Sequence, residues 1–184
     1  DLVNWKERES CILWGDGAGA AVITETDEGA EIMSTHIHTD GENGDTLLMP
    51  GGGSKTTPIS YESVDKGKHF LKMIEANKSF KVAVSRFAEA CEEAVATNGY
   101  TIDDVDVIVP HQANLRIIDA VASRLEVPLD KVMINIEKYG NTTSGTIPLC
   151  LWEWKDKLHK GDNIILTAFG GGFTWGSTLI KWSI

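Results

Sequence analysis

The second half of the chain alternates short apolar runs of strand length with amphipathic stretches of helix length, and most of the runs close on a loop of small or polar residues. Residues 79–98 place Phe80, Val84, Phe87, Cys91 and Val95 three or four apart, which predicts a helix, and Gly99 stands where a left-handed cap ends one. Residues 105–109 form a buried-type strand ended by Pro110, and Ile117, Ile118, Val121 and Leu125 mark the next helix. A strand is expected over 132–136, and a helix over 148–158 that begins near Thr143. Strands follow at 163–169 and 174–182. Upstream, residues 11–24 are small and apolar, broken by Gly15, Gly17 and Gly19, and read as a strand with close backbone approaches; residues 32–39 are the expected partner strand. The order β-β-α-β-α-β-α-β-β implies parallel pairing with right-handed crossovers in the middle and an antiparallel final pair. The fold class is α/β, as a single domain over residues 1–184.

Composition removes several functions. Seventeen basic against twenty-seven acidic residues give a net charge of −10, which disfavours a general nucleic-acid binder, although a local basic patch is compatible with it. The three cysteines, Cys11, Cys91 and Cys150, have no paired spacing and suit neither a disulfide framework nor a zinc site. No apolar run approaches the ~18 residues of a membrane helix, so no membrane partner and a cytoplasmic location are expected. The chain begins at Asp1 without a methionine and is expected to be a piece of something longer.

Two glycine motifs imitate phosphate sites. Residues 15–20 match G-x-G-x-x-A, but strand-forming Val22 and Ile23 follow where the nucleotide motif needs a helix, so close packing of two backbone layers is the favoured reading. Gly53-Ser54-Lys55-Thr56 lacks the glycine directly before the lysine and is rejected as a phosphate loop. Residues 40–60, with Gly41, Gly44, Pro50, Gly51, Gly52, Gly53 and Pro58, form a long loop of the kind that often carries function.

Three other loops follow expected strands: Pro110-His111-Gln112-Ala113-Asn114, the run from Tyr139 to Gly145, and Gly170-Gly171-Gly172-Phe173. The carboxyl ends of parallel strands line ligand crevices, so His111, Asn141 and backbone amides of the glycine run can converge on one oxyanion. Singly, each signal has a plainer reading: a structural histidine, a helix cap, a hairpin turn. No serine lies in a nucleophile elbow. Of His36, His38, His69 and His159 only the first two are close in sequence, and they read as surface residues on one strand face.

Together, WGDGAGAAVI (14–23), FKVAV (80–84), VPHQANLRII (109–118), YGNTTSGTIP (139–148) and FGGGFTWGS (169–177) stand in the order of one family. The chain resembles the C-terminal half of β-ketoacyl-acyl carrier protein synthase III, a thiolase-fold condensing enzyme. The resemblance implies one α-β-α half of a thiolase-like fold with a mixed five-stranded sheet. It implies acyl transfer from acyl-CoA to a cysteine, then decarboxylative Claisen condensation with malonyl-acyl carrier protein to initiate fatty acid synthesis. No cofactor and no metal is implied beyond the coenzyme A thioester substrate. By similarity, His111 and Asn141 are the His and Asn of a Cys-His-Asn triad, and Gly171 is the amide donor to the acyl-cysteine oxyanion. Ile74, Ala76, Phe80, Ala113, Asn114 and Phe169 resemble the pantetheine tunnel. Arg116, joined by Arg124 and Lys81, resembles the carrier-protein docking face, although a solvated helix face explains the last two equally well.

Ala76 departs from the family's common glycine, and Gly145 and Thr146 replace a usual Ala/Ser pair. None of the three cysteines lies in the family's nucleophile motif. The chain is therefore expected to be inactive alone, to need its own N-terminal half as partner, and to dimerise. Alternatives are a related condensing enzyme of secondary metabolism, or a non-catalytic thiolase-like subunit binding coenzyme A or carrier protein; retention of both His111 and Asn141 argues against the latter.

Overall fold

The buried strands explain the architecture. The structure is a computed structural model that describes residues 2–27, 31–53 and 57–183. Residues 54–56, part of the rejected phosphate-loop match, lie outside that range. The strands are β1 (Glu31–Thr39), β2 (Leu47–Leu48), β3 (Lys72–Met73), β4 (Val107–Pro110), β5 (Asn163–Gly170) and β6 (Thr174–Lys181). The α-helices are α1 (Arg8–Cys11), α2 (Tyr61–Asp65), α3 (Ala76–Thr97), α4 (Leu115–Arg124), α5 (Ile136–Tyr139) and α6 (Thr146–Trp154).

The main sheet runs β1-β6-β5-β4, and β2 and β3 form a separate small pair. β4 and β5 are parallel, whereas β6 is antiparallel to both β5 and β1. All four residues of β4 are buried, as expected for a strand covered on both faces. Its side chains alternate between two cores. Ile108 joins Ile165, Phe87, Cys91 and Ile118 on the α3/α4 side. Val107 and Val109 join Ile164, Met133 and Cys150 on the α6 side. The result is an α-β-α sandwich.

The expected helix at 79–98 forms as α3, three residues longer at its start. Gly99 takes φ +74, the Tyr100 N–H donates to the Val95 carbonyl and the Gly99 N–H to that of Ala96, which closes the helix as a Schellman cap. The antiparallel β5–β6 pair and the strand at β1 also form as expected.

Three expectations fail. Residues 11–24 do not form the expected strand; Val22 is 91% and Ile23 77% exposed, and among the described residues the one ladder contact there is an isolated bridge between Trp14 and Asn141. The segment is laid instead against the loop that follows Tyr139, where the Gly15 N–H and the Leu13 carbonyl bond to Asn141 and Gly19 faces Pro148, so its backbone does not enter the sheet. The strand expected at 132–136 shrinks to one parallel bridge, Ile108 to Val132, so the sheet has four strands and the trace of a fifth. Asn135 is the cause: it is buried with its N–H donated to Gln112 Oε1 and its carbonyl accepting the Lys138 and Tyr139 N–H groups of α5, which leaves neither for a ladder. His36 and His38 are half-buried and both contact Glu93 of α3, the latter at 2.6 Å.

Candidate active site

His111 sits where a strand hands over to a helix. Its N–H donates to the Thr167 carbonyl on β5 at 2.8 Å, which continues the parallel ladder one residue past β4. The Ala113 N–H returns to the His111 carbonyl at 2.9 Å, and Asn114 caps α4 by accepting the Arg116 N–H at 2.9 Å. Gln112 braces this loop from beneath. It is fully buried, donates to the carbonyls of Pro110 (2.8 Å) and Met133 (3.0 Å), and accepts the Asn135 N–H. Its structural part was visible in the sequence only as a letter in the VPHQAN motif.

Asn141 is held from the other side. Its N–H donates to the Leu13 carbonyl (2.8 Å) and its own carbonyl accepts the Gly15 N–H (3.0 Å). This contact accounts for the glycines at 15–19: a Cβ on Gly15 would lie 1.9 Å from the Tyr139 carbonyl oxygen. The segment is a close backbone approach and no nucleotide loop.

A single hydrogen-bonded chain joins the two side chains. Asn141 Oδ1 accepts the Thr143 N–H at 2.9 Å, and the Thr146 hydroxyl donates to the Thr143 carbonyl at 2.9 Å. Thr146 Oγ1 also lies 2.7 Å from His111 Nδ1. Thr143 takes φ +52, a conformation that costs a β-branched residue about 1–3 kcal/mol and that both hydrogen bonds hold in place. With Oδ1 engaged, the polar group left to Asn141 is its Nδ2 donor; with Nδ1 engaged, His111 has Nε2 left. Thr143 and Thr146 escaped the sequence reading as site residues because their importance lies in partners brought near by folding.

Burial pushes the His111 pKa down to about 4, opposed by its hydrogen bond to the Thr143 backbone. The imidazole is thus neutral at pH 7. Both side chains line one open cleft of about 1170 Å³. Gly171, Ala76, Phe80, Ala113, Asn114, Phe169 and Arg116 line the same cleft. The Arg116 guanidinium stacks 5.5 Å over the Phe80 ring, which fixes a cation at its wall. Ile74 is outside the lining and 63% exposed, and Lys81 and Arg124 occupy exposed helix positions away from it.

The cysteines do not join this group. Cys91 is buried in α3 and Cys150 in α6, and burial pushes both thiols up to about 12. Cys11 is half-buried in α1 and its thiol sits near backbone carbonyls of Trp5 and Arg8. Among the described residues, no cluster of His, Cys, Asp or Glu could hold a metal ion, and no helix is long and apolar enough to cross a membrane.

The chain matches known proteins over nearly its whole length. Residues 95–182 match the family model described as 3-oxoacyl-[acyl-carrier-protein] synthase III C terminal, and residues 1–41 match the one described as 3-oxoacyl-[acyl-carrier-protein] synthase III. The β-ketoacyl-[acyl-carrier-protein] synthase III of Phocaeicola vulgatus is 50% identical over 98% of this chain and 54% of its own length. That of Porphyromonas gingivalis is 47% identical over 99% of this chain and 54% of its own. The crystal structure of 3-oxoacyl-[acyl-carrier-protein] synthase III from Aquifex aeolicus superposes with a TM-score of 0.85 at 36% identity, over 98% of this chain and 54% of that one. The chain spans about half the length of the curated relatives it matches.

Proposed function

Because this chain belongs to the 3-oxoacyl-[acyl-carrier-protein] synthase III family, we propose that it supplies the His and Asn of a decarboxylative condensing site. The nucleophilic cysteine then comes from the family's remaining half. The observation that carries this reading is the hydrogen-bonded chain that turns His111 and Asn141 into one cleft while every cysteine of the chain stays outside it.

In the proposed reaction the cysteine takes an acyl group from acyl-CoA and releases the coenzyme A thiol. The malonyl thioester on the carrier protein then loses its carboxylate as carbon dioxide, and negative charge develops on the thioester oxygen. Asn141 Nδ2 and a protonated His111 Nε2 donate to that oxygen. The enolate carbon attacks the acyl-cysteine carbonyl, whose oxyanion the Gly171 amide receives, and collapse expels the cysteine thiolate. Ala76, Phe80, Ala113, Asn114 and Phe169 would enclose the pantetheine arm, and Arg116 would meet the acidic carrier protein. The exposed apolar residues Ile12, Val22, Ile23 and Trp152 suit burial against the N-terminal half.

The test uses the full-length protein that contains this stretch. Asn141→Ala is expected to slow malonyl decarboxylation by ~10²–10³ while acyl loading of the cysteine continues, since removing one oxyanion donor has that magnitude. Unchanged decarboxylation would remove the proposed role.

A further inference from the structure

Thr146 is almost fully buried, and its hydroxyl stands between two groups that each want its proton. Oγ1 is 2.9 Å from the Thr143 carbonyl oxygen and 2.7 Å from His111 Nδ1. A hydroxyl has one proton and two lone pairs, so it can donate to only one of them. A carbonyl oxygen can only accept, so the short contact to Thr143 is made only by the hydroxyl donating. The lone pair of Oγ1 then faces Nδ1, and this contact is a hydrogen bond only if Nδ1 carries the proton. The Thr143 backbone independently hydrogen-bonds the same imidazole in the sense that favours protonation. A bare Nδ1 would face the Oγ1 lone pair with no proton between them.

We infer that Thr146 is a positioning residue that holds neutral His111 as its Nδ1–H tautomer, so that Nε2 enters the cleft as a proton acceptor. This deepens the proposed function in its consequences, although the tautomer itself does not depend on that function. His111 cannot donate to an enolate until a proton reaches Nε2. In acyl loading that proton comes from the cysteine thiol: the S–H bond breaks, Nε2 takes the proton, and the thiolate attacks the thioester carbonyl. The carbon–sulfur bond to coenzyme A then breaks and its thiolate takes the proton back from Nε2. Condensation as a whole takes up one proton, because a carboxylate leaves as carbon dioxide and a thiolate must be restored to a thiol. Nε2 is where that proton enters: the imidazolium donates to the enolate oxygen and later returns the proton to the cysteine. Throughout, Nδ1–H stays on Thr146 and the ring does not turn. An outer partner of a histidine commonly sets its tautomer in this way.

The test is nitrogen-15 NMR of this chain labelled at histidine, at neutral pH, with His111→Gln identifying the signal. The expected spectrum has Nδ1 of His111 in the pyrrole-type range and Nε2 in the pyridine-type range. Thr146→Ser, which keeps the hydroxyl, should preserve it; Thr146→Val, close in shape without the hydroxyl, should lose it. A wild-type Nε2–H tautomer, a Val variant with the wild-type pattern, or a Ser variant that behaves like Val would each overturn the inference. Should Thr146→Val not fold, the wild-type protein still decides: the His111 Nδ1 proton must be visible and show a nuclear Overhauser contact to Thr146, and its absence refutes the assignment. No nucleophile or substrate takes part, so failure of the condensing role and failure of the tautomer are read separately.

Discussion

Acid should destabilise this protein through His111 by a calculable amount. An unfolded histidine titrates near 6.5, and burial holds the folded one near 4. Between those values the unfolded chain binds the extra proton and the folded chain does not, so stability falls as pH drops through the window. Relative to pH 8, the loss is about 1.4 kcal/mol at pH 5.5 and about 3 kcal/mol at pH 4. The perturbation is His111→Gln, which removes this titration and leaves the carboxylates in place. The assay is urea denaturation of both proteins at pH 8, 5.5 and 4. The wild-type minus variant difference should shift against the wild type by those amounts as pH falls. Parallel curves at all three values would show that the His111 environment is as wet as the unfolded chain, and the argument from burial would fail.

Other consequences are independent of that titration. Phe87, almost fully buried beneath β5 and against Phe169, should cost ~3–5 kcal/mol when changed to Ala, measurable by the same denaturation. Gly15→Ala should lower stability by ~1–3 kcal/mol and shift the Asn141 amide signals, because its Cβ collides with the Tyr139 carbonyl. Unshifted Asn141 signals would contradict that contact. Iodoacetamide should modify Cys11 in the folded chain well before Cys91 and Cys150, and peptide mapping would show all three modified only after unfolding.

The sequence made much of this visible, for identifiable reasons. The spacing of Phe87, Cys91 and Val95 defines a face that a helix alone can bury, and α3 buries it. β4 and β5 carry apolar residues on both faces and belong inside a layered sheet. The strand expected at 11–24 failed because β propensity describes a fit to a neighbouring strand, and among the described residues this segment has none. The strand at 132–136 failed because the Asn135 N–H goes to Gln112 and its carbonyl to the first turn of α5, and the distant Gln112 is a partner that no local pattern announces. His111 and Asn141 stood out through their motifs. Thr146 did not, since it lies 35 residues from the histidine that gives it meaning.

The central claim is that this chain holds half of a condensing site, without the nucleophile. Intact-mass spectrometry after incubation with acetyl-CoA and a longer acyl-CoA tests it directly. The account predicts no stable acyl adduct on this chain, and an adduct on a cysteine outside it in the full-length protein. A stoichiometric adduct mapped to Cys11, Cys91 or Cys150 would contradict it.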